Sequence, residues 1–550
     1  MKTGSSFNLY LYQAITRNWN ADALTDYQGA TLQYHDVARK IEKIHILFEN
    51  CGVGKGDKIA ICGRNSANWA VTFLATLTYG AVVVPILHEF NAEQVHNIVN
   101  HSESKLLFVG DFVAKEITPD AMPALEGIIY LPDFSLMVSR SEQLDYAREH
   151  IKYMFGKRYQ NAFTPEDVRY HEDAPEELAL INYTSGTTGF SKGVMLPYRA
   201  LWGNLDFCLR HLGAHVKAGD SMLDILPMAH MYGLAIEFIF GFCNGCHLFF
   251  LNRLPSPSLI AKAFTEIRPS LIISVPLIIE KIIRKRVFPT IQNNRMRLLL
   301  AMPVVSKRVK EKICEQVHAA FGGQAYQIVV GGAALSKEIE QFLVSIGFPI
   351  TVGYGATESA PHISFSDWKS FAPGSCGRAV DNMEVRIVSH SPDVPGEIVT
   401  RGINVMLGYY KNPEATAEAI DAEGWYHTGD LGTMDANGNI YIRGRIKNML
   451  LGSDGQNIYP EEIEDKLNSM PMVAESLIVQ RDGKLVALVY PDQDEVSELT
   501  DAEKEAVMDQ NRVNLNDSMP GYIRINRIEM VDEEFQKTPK KSIKRYLYQA

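Results

Sequence analysis

Cysteine is scarce. The 550 residues contain seven, an odd number without the spacing of a disulfide framework, which excludes a stapled secreted fold and points to a reducing compartment. Cys243 and Cys246 form a lone CxxC. No second pair stands at zinc-binding spacing and only His247 is near, so the two read as buried thiols rather than metal ligands. A basic excess is missing too. Lys and Arg number 54 against 65 Asp and Glu, for a net charge of -11, which argues against a nucleic-acid footprint and leaves a small molecule as the default ligand. The N-terminus has no apolar run followed by a small-residue cleavage site, so a secretory signal is not expected and a cytoplasmic location is. The most apolar stretch, Met231 to Leu251, is broken by Glu237, Asn244, His247 and three glycines. It reads as a buried helix followed by a strand rather than a membrane span. Internal repeats and low-complexity tracts are also lacking.

What is present is an ordinary globular composition, 46% hydrophobic and 22% charged, in a chain long enough for a large core and more than one domain. Short β-rich runs alternate with helical patterns: Lys58 to Cys62, Ser66 to Leu77, Val82 to Pro85, Ala92 to Asn100, Leu106 to Val109. The rhythm returns at Ser221 to Leu226, Leu271 to Val275, Tyr326 to Val330 and Pro349 to Val352. Such alternation predicts a parallel α/β sheet with functional residues beyond the strands' C-terminal ends. From about 371 to 442 the texture changes to short strands with Pro and Gly turns, a β-rich subdomain. Beyond Arg443 a unit of roughly a hundred residues has the helix and strand pattern of a small α+β domain.

The most informative segment is Tyr183-Thr-Ser-Gly-Thr-Thr-Gly-Phe-Ser-Lys-Gly-Val194, directly after the apolar Leu178 to Ile181. Gly186, Gly189 and Gly193 permit backbone angles that aim several N–H groups at one anion. Thr184, Ser185, Thr187 and Thr188 add hydroxyls, and Lys192 adds charge. A Walker A loop needs Ser or Thr immediately after its lysine to hold Mg²⁺; here Ser191 precedes Lys192 and Gly193 follows it, so the metal needs another ligand. A polar turn between two strands is the alternative reading.

Three further constellations fit a nucleotide. Gly353-Tyr354-Gly355-Ala356-Thr357-Glu358 offers close backbone approach, a stacking face in Tyr354 and a hard oxygen in Glu358. Alone it equally describes a strand, a turn and a first-turn helix acid. Gly331-Gly332-Ala333 would let a flat base lie against backbone, or is simply a tight turn. In Tyr426-His-Thr-Gly-Asp430-Leu-Gly432 and Gly444-Arg445-Ile-Lys447, Asp430 can accept from ribose hydroxyls and Arg445 can donate to them.

With these segments in order, and with Pro227 and His230 in LPMAHMYG, Arg401 to Tyr410 in RGINVMLGYY, and GRIKNMLLGSDGQNIYPEEIE, the chain resembles the adenylate-forming superfamily nearly end to end. The segments from Ser274 to Ile282 and from Ser306 to Leu335 are most similar to its long-chain fatty acyl-CoA synthetases. The resemblance implies an N-terminal domain over 1–442, a hinge at 443–447 that pivots at Lys447, and a mobile C-terminal domain over 448–550. It implies that a carboxylate attacks the α-phosphate of Mg-ATP and that the thiol of coenzyme A then attacks the acyl-adenylate. By the same resemblance Thr184, Lys192, His230 and Glu358 are catalytic, Glu358 and Thr184 hold Mg²⁺, Tyr354 and Gly332 frame adenine, and Asp430 and Arg445 hold ribose. His230 alone would read as a core residue, and Lys447 as an exposed linker lysine.

The chain departs from the pattern near its end, in Lys537-Thr-Pro-Lys540-Lys541-Ser542-Ile543. Relatives carry the adenylation lysine immediately before the aliphatic residue, where this chain has Ser542. Lys541, one residue away on a flexible stem, is expected to serve, with Lys540 behind it; a basic tail is the alternative. Tyr232 to Phe242 and Val275 to Ile283 would supply aliphatic surface for a medium- or long-chain fatty acid. Peripheral association with a membrane fits such a substrate. Two rival functions share the early motifs: an acyl-AMP ligase that loads a carrier protein, and a non-catalytic nucleotide or lipid sensor.

Overall fold

The computed structural model describes residues 6–184, 192–253, 256–291, 303–389, 391, 394–451, 457–497, 499–520, 523–538 and 543–549. Two large sheets organise the first 440 of them. The first sheet has eight strands in the order Gly408–Tyr409, Lys192–Pro197, Leu178–Thr184, Val82–Ile86, Lys58–Cys62, Ser104–Val109, Gly127–Tyr130 and Leu136–Ser139. Its five central strands are parallel and its two margins antiparallel. The second sheet runs Ile350–Val352, Gln327–Val330, Leu271–Ser274, Ser221–Asp224, His247–Phe250, Asp22–Asp26 and Thr31–Gln33, parallel but for its last pair. Val82–Ile86 and Leu271–Ser274 are buried along their whole length, which is why they read as unbroken apolar runs rather than alternating ones.

Helix Ala67–Tyr79 packs against both sheets and is buried around almost its whole circumference, as a helix apolar on all sides must be. Ser66 caps its first turn by accepting from the Trp69 amide, and Gly80, at φ +87, ends it. The expected helix and strand between Met231 and Leu251 are present. Gly233–Phe240 forms a π-helix with every residue buried, and His247–Phe250 is a strand. Among the described residues no helix is long and apolar enough to cross a membrane.

Four antiparallel strands, Met383–Val388, Gly396–Gly402, Tyr426–Met434 and Ile440–Arg445, build the β-rich region. Gly408–Tyr409 leaves that region to pair with Lys192–Pro197. The chain then forms a three-stranded sheet, Val473–Arg481, Lys484–Pro491 and Ile525–Met530, with helices Pro460–Leu467 and Asp501–Ser518. The main apolar core runs from Phe7 to Ile440, and separate clusters begin at Ile458 and Leu477. Helix Pro460–Leu467 meets the end of strand Ile440–Arg445 closely. A Cβ at Gly444 would stand 2.7 Å from a Glu461 carboxylate oxygen, and Asn448 donates to the other oxygen at 2.5 Å.

His362, on the strand beside Gly355, is buried, and its ring and backbone nitrogens both face the Asn204 amide oxygen at 2.9 and 3.0 Å. Burial lowers its pKa from 6.5 to about 4. The folded state therefore resists a proton that the unfolded chain accepts below 6.5. Stability is full above that pH and falls as pH drops toward about 4, by on the order of 3 kcal/mol from this residue. Urea midpoints measured between pH 7 and 4.5 should show this slope, and His362→Asn should reduce it, the remainder coming from groups such as buried His45, whose pKa burial likewise lowers to about 4.

Candidate active site

Thr184 and Lys192 face each other as the last pair of an antiparallel ladder. The strands on either side of the glycine-rich segment therefore run back to back and deliver both ends of that segment to one place. Ser185, Gly186, Thr187, Thr188 and Gly189 lie outside the described residues. The Lys192 ammonium stands 4.6 Å from the centre of the Tyr409 ring. The Tyr409 hydroxyl donates to Glu358 Oε1 at 3.0 Å, and the Met406 amide donates to the Glu358 carbonyl at 2.9 Å. Lys192, Tyr409 and Glu358 are thus one connected group. Burial and the Glu358 charge both push the Tyr409 phenol above its ordinary pKa, so it stays a donor at neutral pH.

A second group lies beside it. The Tyr354 hydroxyl donates to Asp430 Oδ2 at 2.6 Å, and Arg445 Nε lies 2.8 Å from Asp430 Oδ1. Asp430 and Arg445 are cross-strand partners in register, so the pairing follows from the sheet. Burial raises the Asp430 pKa, against the opposing pull of Arg445 and Tyr354. The Arg445 side chain is 62% exposed, which leaves its other nitrogens open to a ligand. Burial first, and then the nearby Glu358 and Asp430 carboxylates, push the Tyr426 phenol well above its ordinary pKa.

The glycines have distinct reasons. A Cβ on Gly355 would lie 2.1 Å from the Pro361 carbonyl. Gly355→Ala should therefore cost about 1–3 kcal/mol, read as a lowered urea midpoint, and should displace Glu358 three residues on. Gly353 donates to Val330 O at 2.9 Å, which joins the turn to the second sheet. Gly331 is required by packing: a Cβ there would stand 2.8 Å from the Tyr232 ring. Gly332 has φ +84 and is exposed with Ala333, while Thr357 is buried. His230 is half-buried, and its Nδ1 accepts from the Tyr232 amide at 3.2 Å. Lys447 is exposed in the turn Ile446–Asn448, just past the last strand of the β-rich sheet. Lys541, with Lys540 and Ser542, lies outside the described residues; on either side of it Lys537 and Ile543 pair antiparallel.

The sequence pattern of AMP-binding enzymes matches residues 11–410, and that of the AMP-binding enzyme C-terminal domain matches residues 447–549. The chain belongs to the AMP-binding enzyme family. A probable acyl-activating enzyme 16, chloroplastic, of Arabidopsis thaliana is 27% identical over 542 residues, covering 84% of this chain and 73% of the relative. The long-chain-fatty-acid–CoA ligase ACSBG2 of Homo sapiens is 24% identical over 494 residues, covering 85% and 72%. Among solved structures, the anthranilate CoA ligase AuaEII in complex with anthranoyl-AMP superposes with a TM-score of 0.79 at 18% identity, covering 99% of this chain and 96% of that one.

In this AMP-binding enzyme, several residues of the site carry no sequence signal of their own. Tyr409 and Tyr426 fall within the family-like motifs, but only the fold shows that Tyr409 donates to Glu358 and that Tyr426 is buried near both Glu358 and Asp430. Asn65 and Asn182 stand in unremarked polar positions, yet they bond to the segment carrying His230. Among the described residues no cluster of three or more His, Cys, Asp or Glu is arranged to hold a metal. The fit for magnesium rests on the Glu358 carboxylate, which is half-exposed, and on Thr184 at the strand end. That is the donor set expected where substrate phosphates and water complete the shell.

Proposed function

We propose that this AMP-binding enzyme activates a medium- or long-chain fatty acid with ATP and transfers the acyl group to coenzyme A. The observation that carries the proposal is the presence of two bonded groups, Lys192–Tyr409–Glu358 beside the glycine-rich segment and Tyr354–Asp430–Arg445 at the paired strands of the β-rich sheet. In the first half-reaction a carboxylate oxygen bonds to the α-phosphorus as pyrophosphate leaves. In the second the thiol sulfur bonds to the acyl carbon as AMP leaves. The first brings an anion toward a polyanion, so orientation and charge neutralisation dominate the barrier. Lys192 and the 184–192 segment would neutralise phosphate oxygens, Asp430 and Arg445 would hold the ribose, and Gly331 to Ala333 with Gly353 to Thr357 would line the base. Magnesium, held by Glu358 with Thr184, would supply Lewis-acid charge on the phosphates.

The name of the ACSBG2 relative favours a fatty acid and coenzyme A. The domain division at 442 and 448, with Lys447 as pivot, is part of the same proposal: the C-terminal unit would turn between half-reactions and open the route for coenzyme A. The test is hydroxylamine trapping of acyl-adenylate across fatty, aryl and amino acids, repeated with coenzyme A and with a carrier protein. Trapping with fatty acids and thioester formation with coenzyme A are expected. Thioester on the carrier protein alone would reassign the acceptor, and ATP binding without any adenylate would overturn the reading.

A further inference from the structure

The segment Ile225 to His230 leaves the second sheet, carries Pro227 at its centre and ends at the imidazole, and five of its backbone groups are answered by side chains from outside it, while the His230 amide closes the turn on the Pro227 carbonyl at 2.9 Å. The amides of Ile225 and Leu226 donate to the two Glu237 carboxyl oxygens at 3.3 and 3.0 Å. Asn65 donates to the Leu226 carbonyl at 2.6 Å and accepts from the Met228 amide at 2.8 Å. Asn182 donates to the Ala229 carbonyl at 2.9 Å. Asn65, Asn182 and Glu237 are 6%, 3% and 1% exposed.

These three side chains come from different places. Asn65 follows strand Lys58–Cys62 and Asn182 sits in strand Leu178–Thr184, both in the first sheet, whereas Glu237 projects from the π-helix that follows His230. The turn of the second sheet is therefore tied to the very strand that leads into the 184–192 segment. Gly233 completes the fit: a Cβ there would stand 2.9 Å from the Pro227 carbonyl, so the helix start presses directly on the turn. A buried carboxyl is an expensive way to fill space, since a leucine would do so without the desolvation cost. Asp224, also fully buried, stands close enough to interact with Glu237, and burial pushes both carboxyls well above the ordinary carboxylate range. Bonding two amides that would otherwise be orphaned is a reason to keep Glu237 there.

We propose that Asn65 and Glu237 are positioning residues for His230, gripping its turn from two sides so that the imidazole keeps one place beside the reacting carboxylate. This rests on the functional reading above, together with the catalytic role that the family resemblance implies for His230 at the junction of nucleotide and acyl groups. Asn65→Ala, Asn65→Asp and Glu237→Gln, each alone and in a His230→Ala background, are compared by fatty-acid-dependent pyrophosphate exchange, with thermal melting to confirm folding. Each single variant should lose about 10- to 100-fold in kcat while KM for ATP stays within about 3-fold. Asn65→Asp, which keeps the acceptor for Met228 but turns an oxygen toward the Leu226 carbonyl, should fall as far as Asn65→Ala. In the His230→Ala background the same changes should cost less than about 2-fold more, because residues that act through one group are not additive. Losses that multiply in that background, or a folded Asn65→Ala protein with wild-type kcat, would overturn the proposal. A wild-type protein that exchanges no pyrophosphate with any acid overturns the underlying reading instead.

Discussion

Glutamine at position 358 is expected to slow acyl-adenylate formation by about 10²- to 10³-fold. The substitution is chosen because it isolates charge. An amide oxygen can still accept from the Tyr409 hydroxyl, which donates to Glu358 at 3.0 Å, and the Met406 amide bonds to the backbone carbonyl, which the change leaves intact. Folding should hold, and only the hard anionic donor is lost. A second readout separates metal binding from a general loss of activity. ATP titrated calorimetrically into the wild type should bind more tightly with magnesium than without, and the variant should lose most of that difference. A variant with unchanged rate and unchanged magnesium response would remove Glu358 from the metal site.

Alanine at Lys541 should produce a loss of the same order, about 10²- to 10³-fold, confined to the first half-reaction. A lysine delivers a point charge on a flexible stem, and charge opposite the attacking carboxylate matters only while acid and triphosphate meet. Thioester formation from supplied acyl-adenylate should remain within about 3-fold of wild type. The flanks are firmly tied: Lys537 lies 2.7 Å from Glu475 and pairs with Ile543, and Arg545 bonds to the buried Glu464. Removing one side chain between such anchors should not unfold the domain. Lys540→Ala should lose less than about 10-fold. If Lys540→Ala proves slow and Lys541→Ala does not, the role belongs to Lys540.

Much of the architecture was legible because buried parallel strands leave a strong mark. Lys58–Cys62 appears where its apolar run predicts, and Leu271–Ser274, Gln327–Val330 and Ile350–Val352 agree to within a residue or so. Their division into two sheets left no such mark, since an apolar run does not say which neighbour it will pair with. Gly408–Tyr409 shows the same limit. Its glycine and tyrosines suit the β-rich texture around it, yet it joins the eight-stranded sheet. Within the site, clustered glycines, hydroxyls and charges marked the 183–194 segment, Glu358, Asp430 and Arg445. Asn65 stayed hidden because its meaning lies in backbone groups of a segment more than a hundred residues away, and Glu237 was marked only as a charge interrupting an apolar run, since no local spacing reveals which amides it answers.

The Thr184–Lys192 pairing also governs how the chain tolerates length changes. Side chains alternate faces along a strand, so a one-residue slip in this ladder would turn Lys192 away and put Gly193 or Ser191 in its position. Residues added or removed within the intervening stretch, with the ladder kept in step, would leave the ammonium where it is. Natural variation in loop size should thus be accommodated between the two anchors, while the strands themselves behave as a ruler that admits no half steps.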